Sequence, residues 1–280
     1  MAGRKKRVAF TVVGWLLSLI VLFPFYIVFI NSFKDRQEIF TNQLTFPAHF
    51  NFQYYSQAID KMQFGTAFFN SVVITTISVV FIVMFSSMAA WVLERKKSRI
   101  STVIFYIMIS TILIPFQSIM IPLVQYMSSW EMDSINFSMI DSRYGLIFMN
   151  IGFGLSMAVF LYHGYIKSIP AEIEEAATID GCNKWRLFTH IVFPNLKPMT
   201  ATVAILDVIS LWNDYLLPSL VLKNPELRTI PLSTFYFFGE FNIQWNLALA
   251  GLVLTIIPIV IFYVFAQKYI INGVIAGAIK

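Results

Sequence analysis

Charge is scarce in this chain. Asp, Glu, Lys and Arg make up only 12% of its 280 residues, about half of what a soluble domain carries. Hydrophobic residues account for 58% and aromatic residues for 16%, and the mean hydropathy is +0.71. So much apolar side chain has to face lipid, which defines a polytopic membrane protein. Cysteine is nearly absent: the lone Cys182 excludes an internal disulfide and cannot form a zinc site by itself. The three histidines, His49, His163 and His190, are scattered and read as surface or packing residues. There is no Gly-x-x-x-x-Gly-Lys-[Ser/Thr] phosphate loop, no His-Glu-x-x-His pair and no Gly-x-Ser-x-Gly elbow. Without a phosphate loop, any ATP hydrolysis would belong to another subunit, and with no nucleophile–base set visible a membrane-embedded enzyme is disfavoured.

What is present is a series of apolar runs. The first, Val8 to about Ile30, follows Arg4-Lys5-Lys6-Arg7 and contains Pro24. Its length and the Asn31-Ser32-Phe33-Lys34 that follows, in place of a small-residue cleavage site, make it an uncleaved span. Residues 34–66 are mixed and polar, an extramembrane loop with aromatic anchors. The second run, Ala67 to Leu93, is dense in Asn70, Ser71, Thr75, Ser78, Ser86 and Ser87, residues that allow close helix approach and bonds between helices. A basic turn, Glu94 to Arg99, leads to a third run, Ser101 to Val124, with Gln117 between Pro115 and Pro122. That pattern fits either a broken helix end lining a cavity or a span terminated by proline. The fourth run is Gly145 to Tyr165, the fifth Met199 to Val221 and the sixth Leu247 to Tyr269. Gly152-Phe153-Gly154 lacks the third glycine and the preceding strand of a nucleotide fingerprint, and helix packing explains it better. The expectation is an all-α protein with six transmembrane helices in a single membrane domain, residues 1–280.

Six spans put both termini on one side. That side holds fourteen of the 20 Lys and Arg residues, in segments 4–7, 95–99, 167–197 and 268–280, against six on the other. The richer side is cytoplasmic.

Between the fourth and fifth runs, residues 170–194 read as two short helices joined by a glycine. Pro170 suits a first helical turn, and Glu172, Glu174 and Glu175 suit that end's positive dipole. Gly181 can take the left-handed turn that other residues resist. Asn183 caps a second helix, Lys184 to Phe193, which Pro194 stops. Neither helix can span a bilayer, and both have polar faces: this is a docking element, on the cytoplasmic side by the charge count.

Glu175-Ala176-Ala177, then Gly181, Ile191 and Pro194, resembles the EAA loop of ABC importer permeases, with Phe193 where the pattern usually has Leu. Trp212-Asn213-Asp214-Tyr215, Pro218, Leu222, Pro225 to Thr229 and Pro231 resemble the later part of the maltose and multiple-sugar branch, as do the Gln267-Lys268-Tyr269 to Ala278 ending and the Asn-Ser-Phe-Lys after the first span. The resemblance implies a type I ABC importer fold with residues 67–269 as the permease core and 168–198 as the cytoplasmic coupling loop. It implies a site at Glu175, Ala176, Ala177, Gly181, Ile191 and Pro194 that sits in a cleft of the ATPase. It implies further a second homologous permease in a heterodimer, two cytoplasmic ATPase subunits that bind the ATP and magnesium, and an extracytoplasmic sugar-binding protein. No cofactor of the chain's own and no nucleic acid are expected; lipid of the bacterial cytoplasmic membrane surrounds it.

The candidate pathway lies in the fifth run, where Asp207, Ser210, Trp212, Asn213 and Asp214 fall close together, with Gln117 as a further candidate. On an unbroken helix Asp207 and Asp214, seven apart, share a face to within roughly 20°. A carboxylate at that depth needs a wet cavity or a partner. Either these residues line a cavity suited to a sugar, or one or both aspartates bond a partner helix or a backbone amide. A proton-coupled secondary transporter using Asp207 is the alternative class, and it leaves the docking loop unexplained.

Overall fold

The computed structural model describes residues 2–132, 137–238 and 243–278. The helices in chain order are α1 (Ala2–Asn31), α2 (Arg36–Thr41), α3 (Gln53–Lys61), α4 (Phe64–Arg95), α5 (Arg99–Ile112) and α6 (Phe116–Ser128). A two-residue antiparallel pair, β1 (Glu131–Met132) and β2 (Phe137–Ser138), precedes α7 (Arg143–Ile166). Then come α8 (Glu172–Ile179), α9 (Lys184–Arg186), α10 (Phe193–Asn195), α11 (Lys197–Asn213), α12 (Leu216–Val221), α13 (Ile230–Phe235) and α14 (Trp245–Ala278). The protein is thus nearly all helical, as its composition requires.

Among the described residues, four helices are long and apolar enough to cross a membrane alone: Phe10–Asn31, Phe64–Arg95, Arg143–Ile166 and Trp245–Tyr269. Two bent pairs bring the number to six if each pair is one span. The third expected run is one of these pairs: α5 and α6 meet at 103°. Pro115 has no N–H and disfavours a helical residue before it, so α5 closes on i→i+3 bonds from Leu113 to Ser110 and from Ile114 to Thr111. Pro122, by contrast, sits inside α6 without ending it. Thr111 Oγ1 and Ser156 Oγ, 2.8 Å apart, tie the bend to α7. The elbow encloses an apolar cavity of about 600 Å³ lined by Phe116, Leu123, Phe148, Gly152 and Phe153 among others.

Two compact units emerge. One comprises Met1–Gly65 and Leu232–Pro258. Its organiser is the tetrapeptide that begins with the last residue of α1, Asn31-Ser32-Phe33-Lys34, every residue of which is buried. Asn31 Nδ2 donates to the Gln43 carbonyl (2.8 Å), and the Ser32 and Tyr55 hydroxyls pair at 2.6 Å. Phe33 stacks among Phe29, Phe50, Phe52 and Tyr55. Lys34 Nζ donates to the carbonyls of Asn42 (2.7 Å) and Thr45 (2.6 Å). Burial draws the pKa of that ammonium below the ordinary lysine value, against the opposing pull of Glu38. The polar 34–66 stretch is therefore folded down by main-chain carbonyls, with two helices of its own.

The second unit comprises Thr66–Pro231 and Ile259–Lys280. Its core gathers Ile82 and Ala90 of α4, Val159, Tyr162 and Ile166 of α7, and Leu187, Phe188 and Val192 of the docking loop. The small residues of α4 admit close approach as expected, but Ser86 and Ser87 bond carbonyls of their own helix and not a neighbour. The two glycines of α7 divide. A Cβ on Gly154 would lie 2.4 Å from Cδ1 of Ile82, whereas one on Gly152 meets nothing within 4 Å. Gly154 is the packing glycine. Because Ile82 is wholly buried and lies in the path of that Cβ, Gly154→Ala should destabilise the protein by about 1–3 kcal/mol. Ile82→Val, which removes the clashing Cδ1, should recover part of that loss; unfolding midpoints of the single and double variants in detergent measure both.

Candidate functional site

The docking loop takes the expected form at its first turn. Helix α8 closes on a Schellman motif: Cys182 N–H reaches the Ala177 carbonyl at 3.0 Å and Gly181 N–H the Thr178 carbonyl at 3.1 Å. Gly181 stands at φ +82°, and a Cβ there meets nothing within 4 Å, so the demand for glycine is one of backbone conformation alone. Asn183 caps the second helix, accepting the Arg186 N–H at 2.9 Å.

The second helix departs from expectation at its end. Pro194 does not stop it at Phe193. After α9 the chain widens into i→i+5 bonding over Leu187–Val192, with the Phe193 N–H reaching the Phe188 carbonyl. The helix then runs through Pro194 to Asn195 and turns 75° into α11. A ladder already expanded before the proline is less disrupted by its missing N–H; such π segments mark bends in otherwise helical chains.

The motif residues separate into two sets. Glu175, Ala176 and Gly181 are exposed, together with Ile173, Ile179 and Trp185, which present 45%, 86% and 63% of their surface. Ala177 is buried, Ile191 is half-buried against the core, and Pro194 is half-buried. The first set forms a free apolar and acidic face; the second holds the element in place.

What anchors the loop is Glu174, grouped in the sequence with two other glutamates that suit the helix dipole. It is 8% exposed, while Glu172 and Glu175 are open. Its Oε1 accepts from Arg95 Nε at 2.8 Å and its Oε2 from Trp91 Nε1 at 2.8 Å. Arg95 Nη2 also donates to the Ile169 carbonyl at 2.9 Å, and Trp91 packs on Phe188 with ring centroids 5.5 Å apart. One residue earlier than Arg95, Glu94 pairs with His163 at 2.9 Å, and that imidazole stacks on Phe105. Trp91 and Arg95, four apart, share a helix face, and that spacing at the end of an apolar run is the signal by which the sequence could have revealed them. Between this end of α4 and the loop lies a cleft of about 870 Å³, lined by Lys96, Glu175, Lys184, Val92, Ile179 and Leu187 among others.

The candidate pathway residues do not share one face. Helix α11 ends at Asn213; Asp214 is extended, at φ −70° and ψ 126°. Its Oδ1 accepts the N–H of Leu216 at 2.9 Å, initiating α12. The seven-residue spacing from Asp207 therefore no longer fixes its direction, because the short carboxylate competes with the helix ladder and starts a new turn. Ser210 and Asn213 are exposed, on one stripe with Leu206, and Asn213 Nδ2 bonds the Ile209 carbonyl of its own helix. Trp212 is buried edge-on to Phe68, with ring centroids 5.9 Å apart. Asp207 lies within α11, its Oδ2 buried and without a hydrogen-bond partner among the described residues; Nε1 of Trp212 shares that state. Gln117 is exposed in the first turn of α6 and is not among the residues lining the elbow cavity.

Residues 82–275 match the model of the binding-protein-dependent transport system inner membrane component family. The chain is 45% identical over 98% of its length, and 97% of the relative's, to the probable starch degradation products transport system permease protein AmyC of Thermoanaerobacterium thermosulfurigenes. It is 32% identical over its full length, and 99% of the relative's, to the melibiose/raffinose/stachyose import permease MelC of Bacillus subtilis. Among solved structures, a permease chain of a bacterial ABC transporter that imports the acidic polysaccharide alginate superposes with a TM-score of 0.77, at 23% identity, covering 96% of this chain and 98% of the other. A second alginate transporter, in complex with a periplasmic protein bound to an alginate pentasaccharide, superposes at 0.69 with 16% identity over 94% of each chain. These likenesses establish the importer-permease fold. The chain belongs to the binding-protein-dependent transport system inner membrane component family. It is a membrane-embedded transport component, not an enzyme.

The anchor predicts a local loss of order. Glu174→Ala leaves the Trp91 and Arg95 donors without their acceptor, a loss of about 1.5–3 kcal/mol for bonds to a charged group. In the detergent-solubilised protein, trypsin cleavage at Lys184 and Arg186 should speed up accordingly, while the rate of cleavage at Arg7, in the other unit, stays unchanged.

Proposed function

We propose that this chain is one of two homologous permease subunits of an ABC importer and forms half of the pathway for a di- or oligosaccharide. In this reading residues 67–269 are the permease core, and residues 168–198 couple it to two separate cytoplasmic ATPase subunits that hold the ATP and magnesium. An extracytoplasmic binding protein delivers the sugar. Both termini lie in the cytoplasm of a bacterial cell, in keeping with the charge count.

The observation that carries this reading is the braced helix–turn–helix. An exposed face of Ile173, Glu175, Ile179 and Trp185 is held out from the membrane helices by the fully satisfied Glu174 carboxylate. A free apolar face on a pinned scaffold is what a partner protein needs for docking. The sugar assignment is supported by the names of the relatives, starch products and raffinose-type oligosaccharides among them. For the pathway, the strongest support falls on Asp207, whose buried oxygen lacks a partner among the described residues, and on the exposed Ser210 and Asn213 beside it. Asp214 and Gln117 have weaker support, the first being engaged as a helix cap and the second lying outside the elbow cavity.

Proteoliposomes holding the full complex should take up sugar with ATP enclosed and no proton gradient, and the chain alone should hydrolyse no ATP. Uptake abolished by an uncoupler while ATP stays high would favour proton coupling through Asp207. In the same assay Gly181→Val should block uptake with membrane insertion intact, and Gly181→Asn should retain part of it, because Asn visits the left-handed region more readily. Normal uptake by Gly181→Val would remove the loop from coupling.

Substitution of Asp207 separates pathway from packing. Asp207→Asn should alter uptake affinity or specificity with assembly preserved, and Asp207→Leu should cut uptake much further at equal assembly. Loss appearing only as reduced assembly, with uptake per complex unchanged, would make the residue structural.

A further inference from the structure

One helix links the docking loop to a segment at the far end of the second unit. From Thr66 onward helix α4 lies in a stretch, residues 66–114, that contains neither glycine nor proline, so the usual causes of a kink are missing. Its cytoplasmic end grips the loop through Trp91 and Arg95 on Glu174. Its other end grips the chain after α12. Asn70, fully buried, donates through Nδ2 to the carbonyls of Glu226 (2.8 Å) and Arg228 (3.0 Å) and accepts from Arg143 Nε at 2.8 Å. Ser71 Oγ accepts the Ile230 N–H at 2.9 Å. Ser71 and Trp91 are twenty residues apart, about 30 Å along a helix, which is the thickness of the hydrocarbon core.

We propose that α4 is the rod by which movement of the docking loop reaches the 226–230 segment at the opposite surface, with Glu174 and Asn70 as the positioning residues at its two ends. This inference rests on the reading that the loop docks on an ATPase. The attachments suit transmission because they are hydrogen bonds to a charge at one end and to main-chain carbonyls at the other. Sliding would leave buried polar groups unpaired, whereas apolar packing alone could slip. Helix α11, which leaves the loop directly, is a poorer conductor: it begins at a 75° turn and breaks at Asp214.

The test uses the complete importer in proteoliposomes and reads sugar taken up per ATP hydrolysed, for equal amounts of assembled complex. Asn70→Leu and Glu174→Ala should each lower that ratio by about fivefold or more. Glu174→Gln, which keeps one acceptor, should lower it less. An unchanged ratio in both Asn70→Leu and Glu174→Ala overturns the rod, and so does a loss confined to the quantity assembled. Docking is read separately by cross-linking an Ile179→Cys, Cys182→Ser chain to the ATPase. A cross-link together with an unchanged ratio in Asn70→Leu rejects the rod and leaves docking standing; absence of the cross-link rejects docking and the rod with it.

Discussion

The carboxylate of Glu174 is the contact on which the loop-bearing end of the second unit depends. A buried charge is costly unless paired and hydrogen-bonded on every side. Here both oxygens are engaged, one by a guanidinium and one by an indole N–H. The guanidinium in turn satisfies the Ile169 carbonyl just before the loop. Three separate pieces of chain, the end of α4, the exit of α7 and the first helix of the loop, therefore meet at one charge. Remove it, and the exposed face of Ile173, Ile179 and Trp185 has no defined orientation.

The helices around this point divide into unbroken and broken ones. In a bilayer, interrupted backbone is tolerated only where protein replaces the lost bonds. The elbow between α5 and α6 meets that condition with 3₁₀-type closure and the Thr111–Ser156 pair, and the break after α11 meets it with the Asp214 cap. Helix α4 needs no such repair. Its Ser86 and Ser87 are spent on its own carbonyls, Gly154 of α7 lets that helix approach Ile82, and polar side chains that reach across sit at its two ends. The stiff element and the hinged ones are thus neighbours in a single unit.

Much of this was legible from residue order. The apolar runs place the membrane helices, and Gly181 and Asn183 place the turn and the second cap. These features are local, because each follows from the chemistry of residues within one turn or one span. The loop's motif was equally visible, but its polarity of roles was not: Glu175 heads the recognisable pattern and is exposed, while Glu174 beside it does the anchoring. Helical spacing could rank the two only once the direction of the core was known.

The sequence by itself determined that this is a nearly all-helical membrane protein with a capped helix–turn–helix between its fourth and fifth apolar runs, since hydropathy, glycine and proline act on the backbone directly. Tertiary structure decided where the helices break and which charge is buried. Pro194 failed to stop its helix because a widened turn precedes it, and Pro122 sits inside α6 while Pro115 ends a helix. Asp214 left its helix to cap the next, and Asn70 turned from a helix-packing residue into a grip on main-chain carbonyls more than 150 positions away. Those outcomes depend on which partners the folded chain brings within hydrogen-bond reach, and residue order alone does not say.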